Sequence, residues 1–171
     1  MRPVVKPMVP NLVTLSNLLL GIMALIYTLN ERFTLAAAAI LLATVLDRMD
    51  GNLARRFGVS SEFGKELDSL ADLVSFGVAP AILAYASVLD PALGKAGLII
   101  ALTFITCGAI RLARFNVLNI SDYFVGVPIT LAGGLMAISI LLMHHLAFWV
   151  VALFMVCLSG LMVCKIKVKK R

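Results

Sequence analysis

The sequence predicts an all-α fold: an integral membrane bundle of six transmembrane helices, both termini cytoplasmic, forming a single domain over residues 1–171. Three observations predict it. Of the 171 residues, 61% are hydrophobic and only 14% charged, against about 25% charged in an ordinary soluble domain. The mean hydropathy is +1.03. The charges that remain gather at the ends of long apolar runs instead of covering a polar surface. Such a composition excludes a disordered chain and argues against a water-soluble domain. It also excludes a nucleic-acid partner despite the net charge of +6, because the basic residues form no patch on a polar domain. The bilayer is the solvent this chain is written for.

The helices can be placed in order. Helix 1 is the uncharged run Pro7–Asn30, helix 5 is Tyr123–Met143 and helix 6 is Leu146–Cys164. Each has about 20 residues, enough to cross a hydrocarbon core. Helices 2, 3 and 4 (Phe33–Leu46, Leu73–Leu89, Ala96–Ile110) are shorter, and reach spanning length only if charged residues at one end join them. Tight connections are expected near Glu31-Arg32, Asp90-Pro91 and His144-His145, with longer polar ones at Arg55–Lys65 and Arg114–Asp122. With the N-terminus inside, all of the 15 basic residues except Arg32 and Lys95 lie on the cytoplasmic side. The positive-inside rule therefore orients a multi-pass protein of the cell membrane with both ends in the cytoplasm. The first apolar run is too long for a cleaved signal segment. Cys107, Cys157 and Cys164 lie in apolar stretches without C-x-x-C pairing, and read as small core residues rather than disulfides or zinc ligands. His144 and His145 read as interface residues, Lys165–Arg171 as a topology anchor that favours anionic lipid, and Gly133-Gly134 as a site of close helix packing.

The chemistry concentrates where helices 2, 3 and 4 end. Asp47 and Asp50 are three residues apart and Asp68 and Asp72 four apart, so each pair shares one helical face. Like charges so placed repel, and more strongly away from bulk water. Ionised groups at that depth imply a polar cavity opening to the cytoplasm, walled by helices 2, 3 and 4. Clustered carboxylates without His or Cys indicate a hard divalent cation, Mg²⁺ or Mn²⁺, rather than zinc. Gly51 lets a ligand approach the backbone closely. Arg55, four residues on, could reach a phosphate on the metal. A small cation or proton transporter would also place carboxylates in a membrane. It would spread them across the bilayer depth, however, and would give Gly51, Arg55 and Gly64 no role.

The fixed positions Asp47, Asp50, Gly51, Ala54, Arg55, Gly64, Asp68 and Asp72 reproduce the spacing D-x2-D-G-x2-A-R-x8-G-x3-D-x3-D. In this the chain resembles the CDP-alcohol phosphatidyltransferase family. The stretches Leu67–Pro80 and Ile110–Asn116 resemble its serine-accepting branch, the phosphatidylserine synthases, whereas phosphatidylglycerophosphate synthases usually carry proline where this chain has Ser69.

The resemblance implies an enzyme that transfers the phosphatidyl group of CDP-diacylglycerol to the hydroxyl of L-serine, releases CMP, and acts as a homodimer. It implies two metal ions per site on Asp47, Asp50 and Asp68, with Asp72 also touching metal and serving as general base. It implies CDP-lipid contacts from Asn11, Thr14, Gly51, Arg55 and Ser61. Arg111 and Arg114, three apart on helix 4, are the candidates for the serine carboxylate, which suits guanidinium binding. Asn116 and Ser75 are weaker candidates for the same task. Another acceptor, as in archaetidylserine or phosphatidylglycerophosphate synthases, is the alternative within the family.

Overall fold

Two prolines set the shape of the longest helix. A proline inside a helix has no N–H to give and crowds the carbonyl one turn back, so the chain must adjust around it. At Pro80 and Pro91 the adjustment is a wide turn of the π type. Ala79 N–H bonds Val74 O at the end of the π segment Leu73–Val78, and Asp90 N–H bonds Tyr85 O at the end of Tyr85–Leu89. The helix thereby continues as one piece from Glu62 to Leu93.

A computed structural model describes residues 8–57, 62–118, 123–142, 147–164 and 167–169, with side chains for 11–49, 62–117, 126–142 and 147–164. We label the helices α1 (Met8–Leu29), α2 (Phe33–Phe57), α3 (Glu62–Leu93), α4 (Lys95–Leu118), α5 (Ile129–Leu141) and α6 (Phe148–Val163). Strands β1 (Tyr123–Val125) and β2 (Lys167–Lys169) pair antiparallel, Phe124 opposite Val168. The expected six-helix all-α bundle is present, with this short ribbon added. Within α1, α3 and α4 lie stretches long and apolar enough to cross a membrane. The outward faces match, with Leu12, Leu19, Leu102, Leu131, Trp149 and Leu153 all more than half exposed. This is the build of a multi-pass membrane protein.

The fifth helix departs from expectation. The uncharged run Tyr123–Met143 is not one span: its first residues form β1, and α5 begins only at Ile129. Gly126 takes a left-handed φ of 73° and Pro128 an extended ψ of 140°, and the two end any helix before them. Hydropathy is blind to this because Tyr123, Phe124 and Val125 are as apolar as a helix. With 13 and 16 residues, α5 and α6 fall short of the expected spans. The turn expected at Asp90-Pro91 lies instead at Gly94, because Asp90–Leu93 stays helical. The cysteines are free, as expected, but Cys157 and Cys164 are exposed on the outside of the bundle and not in its core.

Two glycines seat the π turn at the centre of the bundle. A Cβ at Gly21 of α1 would stand 2.8 Å from Ser75 Cα, and one at Gly133 of α5 would stand 2.7 Å from Phe76 Cα. The close packing expected of Gly133-Gly134 is thus realised by Gly133 against α3, while Gly134 faces Thr44 of α2. Ser75 Oγ donates to Asn17 O at 3.0 Å, tying α1 to the same turn. Around this junction the core is filled by Ile40, Phe76, Leu83, Phe104, Ile129 and Met136, each at most 1% exposed.

Candidate functional site

The last regular turn of α3 before the π segment ends at Asp72, and Asp68 stands one turn earlier. Asp47 comes from the second half of α2. One carboxylate oxygen from each of the three lies within 4.8 Å of the others. Two unit charges about 4 Å apart repel by ~4 kcal/mol at an effective dielectric of ~20. Asp72 is only 9% exposed and its Oδ1 has no hydrogen-bond partner among the described residues. An all-oxygen, all-anionic set with an unused buried oxygen fits a hard divalent cation, which would cancel the repulsion and use the oxygen. The carboxylates line a cavity of about 510 Å³, whose walls also include Arg48, Lys65, Ser69, Arg111, Phe115, Asn116 and Pro128–Thr130.

The wall facing the carboxylates is ordered by hydrogen bonds between α3 and α4. Asn116 Nδ2 donates to Ser69 Oγ at 3.0 Å and to Glu66 Oε2 at 3.2 Å. Lys65 Nζ donates to Asn116 O at 3.4 Å and stands 6.0 Å from the centre of the Phe115 ring. Arg111 reaches into the cavity, and its buried Nε has no hydrogen-bond partner among the described residues.

The two arginines of α4 part company. Arg114 does not line the cavity; its Nη1 donates to Val163 O at 3.0 Å, closing the C-terminal turn of α6. Helix C-termini leave carbonyls without partners, and a cation is the natural group to take one. Ser75 is fully buried and bonded to α1, outside the cavity. Thr14 is buried and Asn11 half-buried on α1, neither on the cavity wall. Asp50, Gly51 and Arg55 continue α2 beyond Asp47, but their side chains lie outside the described residues, as do Ser61, His144 and His145.

Sequence reasoning walled the cavity with helices 2, 3 and 4 alone. The structure adds the first turn of α5, which only the Gly126–Pro128 break could have signalled. It also adds Lys65, whose approach to α4 is a tertiary fact. Asn17 was likewise missed: it is 2% exposed, neither side-chain amide atom has a hydrogen-bond partner among the described residues, and it continues the spacing of Asn11 and Thr14 along α1.

Comparison with known proteins identifies the family. Residues 7–161 match the family model described as CDP-alcohol phosphatidyltransferase. A CDP-diacylglycerol–serine O-phosphatidyltransferase of Helicobacter pylori is 42% identical over 136 residues, covering 78% of this chain and 57% of that protein. A protein of the same name from Methanocaldococcus jannaschii is 44% identical over 126 residues, 74% of this chain and 56% of the relative. The Bacillus subtilis protein of that name is 40% identical over 126 residues, 73% of this chain and 71% of its own length. The chain thus spans little more than half the length of the first two relatives.

Proposed function

The chain belongs to the CDP-alcohol phosphatidyltransferase family, and from that premise we propose that it transfers the phosphatidyl group of CDP-diacylglycerol to L-serine. The observation that carries the reading is the convergence of Asp47, Asp68 and Asp72 within 4.8 Å in a cavity that also holds Arg111. The names of the relatives support serine as the acceptor. We take residues 1–171 as one catalytic domain, acting as a homodimer with its cavity open to the cytoplasm.

In this reading Asp47, Asp50 and Asp68, with Asp72, hold two Mg²⁺ or Mn²⁺ ions, which when bound neutralise charge on the diphosphate. Asn11, Thr14, Gly51, Arg55 and Ser61 contact the CDP-lipid. The serine hydroxyl attacks the lipid-side phosphorus; a new O–P bond forms, the bond to the CMP oxygen breaks, and CMP leaves with that electron pair. Asp72, buried in the cavity wall, accepts the hydroxyl proton. Arg111 presents a planar cation to the serine carboxylate. Arg114 serves α6 instead of the substrate. A cavity in the membrane wall lets one substrate stay anchored in lipid while serine and CMP exchange with water.

The test is CMP release by the purified protein from CDP-diacylglycerol with Mg²⁺ or Mn²⁺, with and without L-serine, and with glycerol 3-phosphate and inositol in parallel. Serine-dependent, metal-dependent release is the expected outcome. Release with another alcohol alone would keep the family and overturn the acceptor.

A further inference from the structure

Helix α5 starts bare at the cavity wall. Its N-cap, Pro128, offers no side-chain hydrogen bond, and the first bond of the helix runs from Ala132 N–H to Pro128 O at 3.0 Å. The N–H groups of Ile129, Thr130 and Leu131 therefore have no hydrogen-bond partner among the described residues. Pro128, Ile129 and Thr130 line the cavity that holds the carboxylates. Unpaired first-turn donors, added to the positive end of the helix dipole, make an anion site.

Two side chains in the same cavity indicate which anion. Among the described residues, neither Oδ1 of Asp72, which is nine-tenths buried, nor the buried Nε of Arg111 has a hydrogen-bond partner. With Asp72 as the proton acceptor of the reading above, and with Arg111 and the free amides of α5 lining the same cavity, the two ends that a hydroxy acid requires are both met. Its hydroxyl and its carboxylate lie only two carbons apart, so both must be met in one small cavity. The diphosphate of the other substrate is already served by the cluster of α2 and α3.

We propose, building on the serine-transfer reading above, that the open N-terminus of α5 at Ile129–Thr130 and Arg111 together hold the acceptor's carboxylate. The site then distinguishes an amino acid from an amino alcohol of the same shape. The same chemistry would suit a phosphate of the CDP-lipid, so the experiment separates the two sources.

Thr130→Asp places a negative charge at this helix start. There it suits the dipole and should leave the melting temperature unchanged or raise it, while repelling a bound carboxylate. The full chain is assayed with Mg²⁺ or Mn²⁺ for CMP release, and CDP binding is measured by calorimetry. The expected result is a rise of about tenfold or more in the apparent KM for L-serine. The KM for CDP-diacylglycerol and the affinity for CDP should change far less than the KM for serine. The wild type should also prefer L-serine to serinol, which lacks the carboxylate, and Thr130→Asp should erase that preference. Thr130→Glu carries the same charge on a longer stem and serves if the aspartate variant does not fold. A folded variant with an unshifted serine KM overturns the subsite, and a rise in the KM for CDP-diacylglycerol instead assigns the helix start to the lipid phosphate. Wild-type protein that releases no CMP in response to serine overturns the functional reading itself, which is a different failure.

Discussion

Asp72 is the residue on which most depends. It closes the last regular turn of α3, shares a 4.8 Å cluster with Asp47 and Asp68, and keeps one buried oxygen unpaired. Asp72→Asn has nearly the same shape and removes the ability to take a proton. Turnover should fall by about 100-fold or more, while calorimetry should still detect CDP binding; undiminished turnover would remove Asp72 as the base. Arg114 gives the opposite pattern. Arg114→Ala deletes a charge-assisted bond to Val163 O and should cost about 1.5–3 kcal/mol of stability. It should lower the melting temperature without altering the serine KM, and a selective KM effect would return Arg114 to the substrate. The carboxylate cluster was legible because its spacing alone stacks Asp68 on Asp72. The division of labour between Arg111 and Arg114 was not, because the carbonyl that captures Arg114 belongs to a helix some fifty positions away.

Elements on the scale of whole helices were legible where charge punctuates the apolar pattern. α1 to α4 follow the runs closely, and the admission of Asp47, Asp68, Asp72 and Arg111 into helix ends is what gives the cavity its walls. Where apolar residues fill a strand, as at Tyr123–Val125, hydropathy could not tell ribbon from helix, and α5 was drawn too long. The π turns were hidden for another reason: they depend on how the helix absorbs Pro80 and Pro91, not on composition. The packing they impose can be checked with two glycines. Gly133→Leu drives its side chain into the backbone at Phe76, 2.6 Å from the carbonyl oxygen, and should destabilise by about 1–3 kcal/mol or more. Gly160→Leu on α6 meets nothing within 4 Å and should leave the thermal midpoint nearly unchanged. Equal effects from both would contradict the described seat of α5 on α3.

The molecule as a whole is arranged by its solvent. Large apolar side chains cover the outside, and alanines (Ala24, Ala36, Ala43, Ala79, Ala101, Ala132) join the large residues of the core at the contacts between helices, as expected where lipid weakens the usual drive to bury bulk. Charge asymmetry adds a direction. With native cysteines replaced, a cysteine at Lys95 should react with a membrane-impermeant thiol reagent added outside intact cells. One at Glu62 should react only after permeabilisation. The reverse pattern would invert the proposed orientation and turn the carboxylate cavity away from the cytoplasm.

The π turn at Leu73–Val78 has a consequence for how strictly this sequence can be rewritten. Such a turn takes up one residue more than an α-helix would, and one residue is about 100° of rotation. The first part of α3, with Asp68 and Asp72, is therefore out of phase with the part that begins at Ala79. The offset lets the carboxylates aim at the cavity while Leu83 and Leu89 still aim at the core. A chain one residue shorter between Asp72 and Pro80 would keep its hydropathy, its length class and its acidic spacing. It would nonetheless turn either the acids or the leucines to the wrong side. The interval between those two residues is as much a part of the signature as the spacing of the aspartates.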